Sequence, residues 1–324
     1  MTNRVRWILA LTLTLAGLGV AFQGVDWDIF LGALRRPSAV AGLLLVPVVL
    51  GVEYRLRTAR WSLLVGKTEG LFPVVAASFF LNVVLPFRAG EAARVVLTHR
   101  RSGRPMAGCV SALAADRLGD SLALLGVFIV FAAFHGGDFI PVRRVLFLIA
   151  VLSVAVVVFA SAVVWPAAWR SGLISARSSP RWTAVVDGFL TGVAPLRAPR
   201  TALAVAGLSA ALWAMNVVLF WGVSLGFGLG LTVVQAGGAL AAIALGVALP
   251  STPGFLGVYE AAGVLALTAM GVDKEPALAF VLTLHGAQIL GTSIWGGSSL
   301  WVLARGGRDD SRGPSGIDKM PPTA

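Results

Sequence analysis

The sequence predicts an all-α, polytopic helical membrane protein with about six spans and two oppositely oriented re-entrant helical hairpins. Three observations carry that prediction. Hydrophobic residues make up 57% of the 324-residue chain and charged ones 13%, with mean hydropathy +0.85, far more apolar than an average soluble domain. Apolar runs of the roughly 17 to 25 residues that a spanning helix needs recur along almost the whole chain. Two further runs are interrupted near their middle by Leu-Pro followed by glycine.

The first run, "WILALTLTLAGLGVAF", follows Arg4 and Arg6 like a signal peptide, but "GLGVAFQG" offers a poor small-residue cleavage site. It reads as a retained span over 7–22. The remaining expected spans are 39–54, 107–133, 145–165, 201–221 and 277–303, with hairpins over 71–104 and 232–271, each folding back at its Leu-Pro. With both termini cytoplasmic, most of the 26 Lys and Arg fall on inner segments: Arg4 and Arg6, the stretch 55–70, Arg94 through Arg104, the loop 166–200 and the tail. The outer loops carry only Arg35, Arg36, Arg143, Arg144 and Lys274. This is the bias expected of cytoplasmic loops. It brings the first hairpin in from the cytoplasm and the second from outside.

In the long inner loop, "RWTAVVDGFLTGV" puts Trp182, Val186, Phe189, Leu190 and Val193 on one side of a helix expected to lie along the inner surface. The domain expectation is one transmembrane unit over 1–305 and a disordered cytoplasmic tail over 306–324, rich in Gly, Pro, Ser and charge.

Composition also narrows the chemistry. The net charge of +11 is explained by loop topology, so no nucleic-acid partner is expected. Cys109 is the sole cysteine, and His99, His135 and His285 are scattered, so neither a disulfide nor a metal centre nor any other cofactor is indicated. "VGKT" at 65–68 lacks the first glycine of a phosphate-binding loop, which would stand at Trp61, and "GFGLG" at 226–230 sits in a short outer turn. No catalytic constellation is visible.

The two breaks match each other. "NVVLPFRAGEAAR" at 82–94 and "GVALPSTPGFLGVYEAA" at 246–262 pair Pro86 with Pro250 and Gly90 with Gly254, and Glu91 with Glu260 after a five-residue insertion. Broken helices entering from opposite faces at corresponding places point to a transporter-type binding site near the membrane midplane. A helix beginning at depth leaves its first N–H groups unpaired and its positive end exposed, which suits a phosphate or carboxylate. Arg88 adds a planar cationic fork.

Arg88, Glu91, Asp116, Arg117, Asp120 and Glu260 all fall in hydrophobic segments, where each charge costs about 2.5 to 3.5 kcal/mol at mid-bilayer. They must pair or meet water. Arg88, Glu91 and Arg94 share one side of the returning helix, and Asp116 and Asp120 stand one turn apart with Arg117 a quarter-turn round. Mutual ion pairing without a ligand is the alternative use of these residues. His285 and Gln288, one turn apart on the last span, read as interhelical hydrogen-bonding residues.

The motifs "NVVLPFRAGEAAR", "SALAADRLGD" at 111–120 and "LPSTPGFLGVYEAA" at 249–262, in this order, resemble the flippase-like family, also called the lysylphosphatidylglycerol synthase transmembrane region. The resemblance covers nearly the whole chain except the tail. It implies an inner-membrane protein that moves, or helps move, a lipid between leaflets. Carried over residue by residue, the motifs imply site roles for Asn82, Pro86, Arg88, Gly90, Glu91 and Arg94, then Asp116, Arg117 and Asp120, then Pro250, Pro253, Gly254, Gly257 and Glu260. Family members often have Glu where this chain has Asp116. Bifunctional relatives carry a soluble aminoacyl-transferase domain after the membrane part; here only a short tail follows, so lipid transport without lipid aminoacylation is expected.

On this reading Arg88 holds the head-group phosphate. Glu91, Asp116, Asp120 and Glu260 balance charge, accept an amine or carry a coupling proton, and the sequence supports all three. Its rival is a membrane scaffold partnering a separate lipid-synthesising enzyme or glycosyltransferase. The lipid itself ranges from an aminoacyl-phosphatidylglycerol or another glycerophospholipid to a polyprenyl-linked sugar or a hopanoid-type lipid.

Overall fold

A computed structural model describes residues 3–35, 37–66, 69–135, 158–175, 178–248 and 253–309. Every regular element among them is helical. In chain order these are α1 (Asn3–Phe22), α2 (Trp27–Leu34), α3 (Pro37–Val65), α4 (Leu71–Val84), α5 (Ala89–Ser102) and α6 (Met106–His135), then α7 (Pro166–Leu173), α8 (Pro180–Val193), α9 (Pro199–Phe227), α10 (Val233–Val247), α11 (Val258–Ala269) and α12 (Lys274–Asp309).

Among the described residues, three helices are long and apolar enough to cross a membrane: Met106–Phe134, Pro199–Phe227 and Lys274–Arg305. At about 1.5 Å per residue each exceeds a hydrocarbon core of about 30 Å. Their outer faces carry large apolar side chains, among them Phe134 and Leu203, which suits contact with lipid. The expected span 145–165 lies largely outside the described residues; 158–164 is helical. The tail expectation likewise falls mostly outside them.

Inside the bundle, α12 packs on α3 and α4, and α9 packs on α3. Phe280 of α12 meets Phe220 and Phe227 of α9 edge-on, with ring centroids 4.8 and 5.5 Å apart, a favoured aromatic geometry. Polar clasps add specificity to these apolar seams. The Trp295 indole donates to the Pro47 carbonyl at 2.8 Å, and Tyr54 and Thr292 share a 2.8 Å bond.

The structure departs from the sequence expectation in two places. Helix α3 does not stop at residue 54 but runs to Val65, so Arg57, partly buried, and Arg60, fully buried, sit on a helix rather than in a loop. The charges that lower hydropathy there are matched by carboxylates on α3 and α6, so the helix has no reason to end. Helix α2 was not anticipated; Asp26 starts it by accepting from the Asp28 and Ile29 amides at 3.0 and 3.2 Å, a standard N-cap. Helix α8, the helix expected along the inner surface, packs against α6 with Val186, Leu190 and Val193 of its apolar side buried and Trp182 exposed.

Candidate functional site

Both expected breaks are present, one between α4 and α5 and the other between α10 and α11. Helix α4 closes with the Leu85 amide bonded to the Leu81 carbonyl at 2.8 Å, and Pro86 follows outside the helix. Phe87 and Arg88 then adopt left-handed backbone, φ 58° and 54°, before α5 begins at Ala89. In the second break Leu249 and Pro250 lie outside the described residues. Pro253 opens a short 3-10 turn containing Gly254 (φ 69°) and Phe255 (φ 58°), and Gly257 (φ 82°) precedes α11.

The described non-glycine residues with positive φ are Phe87, Arg88 and Phe255, all within the two breaks. Such conformations cost about 1–3 kcal/mol each and cluster at functional sites. Two glycines make the geometry possible. A Cβ at Gly90 would collide with the Ser78 carbonyl and the Asn82 side chain, and one at Gly257 with the Thr14 carbonyl of α1. Gly257 also needs its positive φ.

The breaks touch. Arg88 donates from Nη2 to the Val247 carbonyl at 3.0 Å, satisfying an orphan carbonyl at the end of α10, and its guanidinium stands 5.9 Å from the Phe255 ring centroid. Each returning helix carries a glutamate three residues past its N-cap: Glu91 after Arg88 and Glu260 after Gly257. The five-residue insertion seen in sequence is the extra turn that delivers Glu260 to the same helical position.

Behind the first break lies an ion network. Asp116 of α6 meets Arg60 at 2.8 Å, Arg94 at 3.1 Å and Arg117 at 3.2 Å. Asp120 meets Arg60 at 2.7 Å, Arg57 at 3.3 Å and Arg117 at 3.6 Å. Glu53 holds Arg57 at 2.7 Å, and Glu91 sits 3.7 Å from both Arg88 and Arg117. Arg60, Arg94 and Asp116 are buried. Arg94 also reaches Ser78 Oγ at 3.0 Å, and Arg60 reaches Ser209 Oγ of α9 at 2.8 Å, while Arg60 Nε has no hydrogen-bond partner among the described residues. A buried charge of this kind is tolerated only when so compensated.

Glu260 is placed differently. It is buried, accepts from the Gly257 amide through Oε2 at 2.6 Å and contacts His285 Nδ1 through Oε1 at 2.6 Å. Tyr259 stacks on the His285 ring, centroids 4.0 Å apart. The interhelical role expected for His285 is what this geometry provides.

Between the two breaks is a cavity of about 310 Å³. One wall carries Glu53, Arg57, Asn82, Arg88, Glu91 and Arg117; the other presents Asn216, Tyr259, His285 and Gln288, with Gly254 at its edge. Two apolar clefts of about 430 and 490 Å³ run along α6 and α9. Thus Asn82, Arg88, Glu91, Arg117 and Gly254 line the cavity, Arg94, Asp116 and Asp120 brace it from behind, Pro86, Gly90, Pro253 and Gly257 shape the breaks, and Glu260 stands behind His285. Among the described residues no group of His, Cys, Asp and Glu is arranged to hold a metal ion.

Sequence reasoning missed Glu53, Arg57, Arg60, Ser209 and Asn216. The signal was available for the first two: Glu53 and Arg57 are spaced i, i+4, a helical ion pair. Counting arginines as topology markers hid it.

The family model described as the lysylphosphatidylglycerol synthase TM region matches residues 7–296. No curated protein and no solved structure matches the chain.

Proposed function

We propose a lipid translocase, on the premise that the chain belongs to the lysylphosphatidylglycerol synthase TM region family. The head group enters the cavity between the breaks while the acyl or prenyl chains stay in the apolar clefts along α6 and α9. About six spans and two opposed re-entrant hairpins, with both termini cytoplasmic, complete this arrangement in a bacterial-type inner membrane. The protein moves lipid without transforming it. Any coupling energy comes from an ion or lipid gradient.

One observation carries the reading: Arg88 and Arg117 face a 310 Å³ cavity with side chains 38% and 33% exposed, while the arginines behind them are sealed. A guanidinium fork at the edge of a low-dielectric cavity binds a phosphate bidentately. The uncapped N-terminus of α5 adds its partial positive charge.

Leaflet exchange of labelled lipids in liposomes containing the purified chain tests the proposal. Exchange that disappears in Arg88→Ala supports it; no exchange of any lipid by folded protein overturns it. The scaffold reading draws on a different observation, that Arg60 and Arg94 are both ion-paired with Asp116 inside the bundle. Under it, a lipid-synthesising or glycosyl-transferring partner would co-purify and Arg88→Ala would leave that association intact.

A further inference from the structure

We infer that His285 and Glu260 form a proton-binding site coupled to the lipid, so that a proton on the His285 imidazole accompanies the head-group phosphate into the cavity. This rests on the translocase reading and names its coupling ion. The geometry of the pair is the first support. Glu260 is 1% exposed; its Oε2 accepts the Gly257 amide at the start of α11, and its Oε1 stands 2.6 Å from His285 Nδ1. A carboxylate only accepts, so Nδ1 carries a hydrogen in both charge states of the ring, and Nε2 is the atom that gains or loses the proton. With Nδ1 turned to Glu260, the opposite edge of the ring is left for the cavity that His285 lines. The ring can therefore change charge without breaking its bond to Glu260. Each state is supported: the neutral ring leaves Glu260 with two donors and the positive end of α11, and the charged ring lies against the carboxylate and the face of Tyr259, with centroids 4.0 Å apart.

Charge balance is the second support. The ion network and the Glu260–His285 pair together hold, among the described residues, the five guanidinium groups of Arg57, Arg60, Arg88, Arg94 and Arg117 and the five carboxylates of Glu53, Glu91, Asp116, Asp120 and Glu260. With His285 neutral the assembly carries no net charge, so a phosphodiester entering alone would leave an uncompensated anion in a low-dielectric site. One proton cancels it. Imidazole is the side chain whose ordinary titration falls between about pH 5 and 8, and His285 is the one histidine among the described residues lining the cavity.

The groups around the ring come from every helix packed on α12. Helix α11 supplies Glu260 and Tyr259, and α3 lines the cavity with Glu53, Tyr54 and Arg57. The polar groups that α4 and α9 bring to the cavity are the neutral Asn82 and Asn216, while α2 meets α12 near its start, at Glu275. Arg88, Glu91 and Arg117 stand across the cavity. Without lipid, Arg57, Arg88 and Arg117 oppose a charge on the ring. A phosphate held by Arg88 and Arg117 offsets that opposition and adds its own attraction. Lipid and proton thus favour each other's binding, by the same factor in both directions.

The test adds phosphatidylglycerol to the purified full chain in weakly buffered detergent near pH 7 and reads proton uptake with a pH-sensitive dye, alongside lipid binding at several pH values. Uptake of a substantial fraction of a proton per bound lipid is expected, with binding that tightens at least about threefold from about pH 8 to about pH 6. His285→Gln, which can still donate to Glu260, should lose the uptake and the pH dependence together. Glu260→Gln, which keeps an acceptor for the Gly257 amide, should weaken both, so the result does not hang on one variant's folding. Binding without uptake, or uptake that persists in both variants, overturns the inference. In liposomes, an imposed pH difference should accumulate labelled phosphatidylglycerol in the leaflet on the alkaline side. Exchange that runs to an even distribution against that gradient overturns the coupling and leaves the translocase standing; no exchange of any lipid by folded protein sinks the translocase reading and the coupling with it.

Discussion

Arg88 heads α5 with its guanidinium at the cavity and no side chain capping the helix behind it, whereas Gly257 heads α11 with its amide bonded to Glu260, whose second oxygen contacts His285. The two breaks have the same layout, a reversal through positive φ and a glutamate three residues into the returning helix, yet their electrostatics are opposite. The first leaves donors under-used and surrounds them with a braced ion network. The second consumes its own helix terminus and shows the cavity a histidine and neutral amides. An internal resemblance in sequence therefore need not mean two equivalent half-sites: one break leaves a guanidinium open to the cavity and the other spends its terminus on internal bonds.

The sharpest way to break that contrast is Arg88→Ala, which should abolish lipid exchange while leaving the protein folded in the membrane; wild-type exchange would take Arg88 out of the mechanism. Next in size is Asp116→Ala, which takes from buried Arg94 its ion-pair partner and leaves Arg60 with Asp120 alone. A loss of about 3–5 kcal/mol is expected for removing one partner of a buried ion pair, read as thermal unfolding in detergent. Glu260→Ala should cost about 1–3 kcal/mol, because it unpairs the Gly257 amide and His285. Its exchange rate per folded molecule should stay closer to wild type than that of Arg88→Ala. If Glu260→Ala stops transport in stable protein, the second break binds too and the contrast fails. The smallest effect belongs to Arg88→Gly. Glycine relieves the left-handed strain at φ 54°, so this variant should be more stable than Arg88→Ala by up to about 1 kcal/mol while being equally inactive in exchange.

Much of this was legible beforehand. Leu-Pro followed by glycine located both reversals, and the requirement that buried charges pair or meet water is met by Arg88, Glu91, Asp116, Arg117 and Asp120 in one network, while Glu260, counted with them, pairs with His285 instead. The family assignment followed from the same motifs. What escaped was carried by long-range partners. Arg57 and Arg60 look like loop charges until Asp116 and Asp120, some sixty residues away in sequence, are seen to compensate them. Arg94, assigned to the cytoplasmic side, is buried for the same reason. Glu260 aligned imperfectly with Glu91 because a 3-10 turn over Pro253–Phe255 precedes its Gly257 cap, whereas Arg88 caps α5 two residues after Pro86. Asn216 and Ser209 are ordinary polar residues within an apolar helix; only the neighbouring helices turn them into cavity lining and an arginine ligand.

The contact between Arg88 and Val247 has a consequence for how such a protein is mapped genetically. Its acceptor is a main-chain carbonyl, which every amino acid supplies. Alanine scanning would thus register the contact at position 88 and stay silent at position 247, so half of the junction between the two breaks leaves no signature in a side-chain mutational map. A reader of that map alone would join Arg88 to Phe255 and Glu91 and miss its tie to the end of α10.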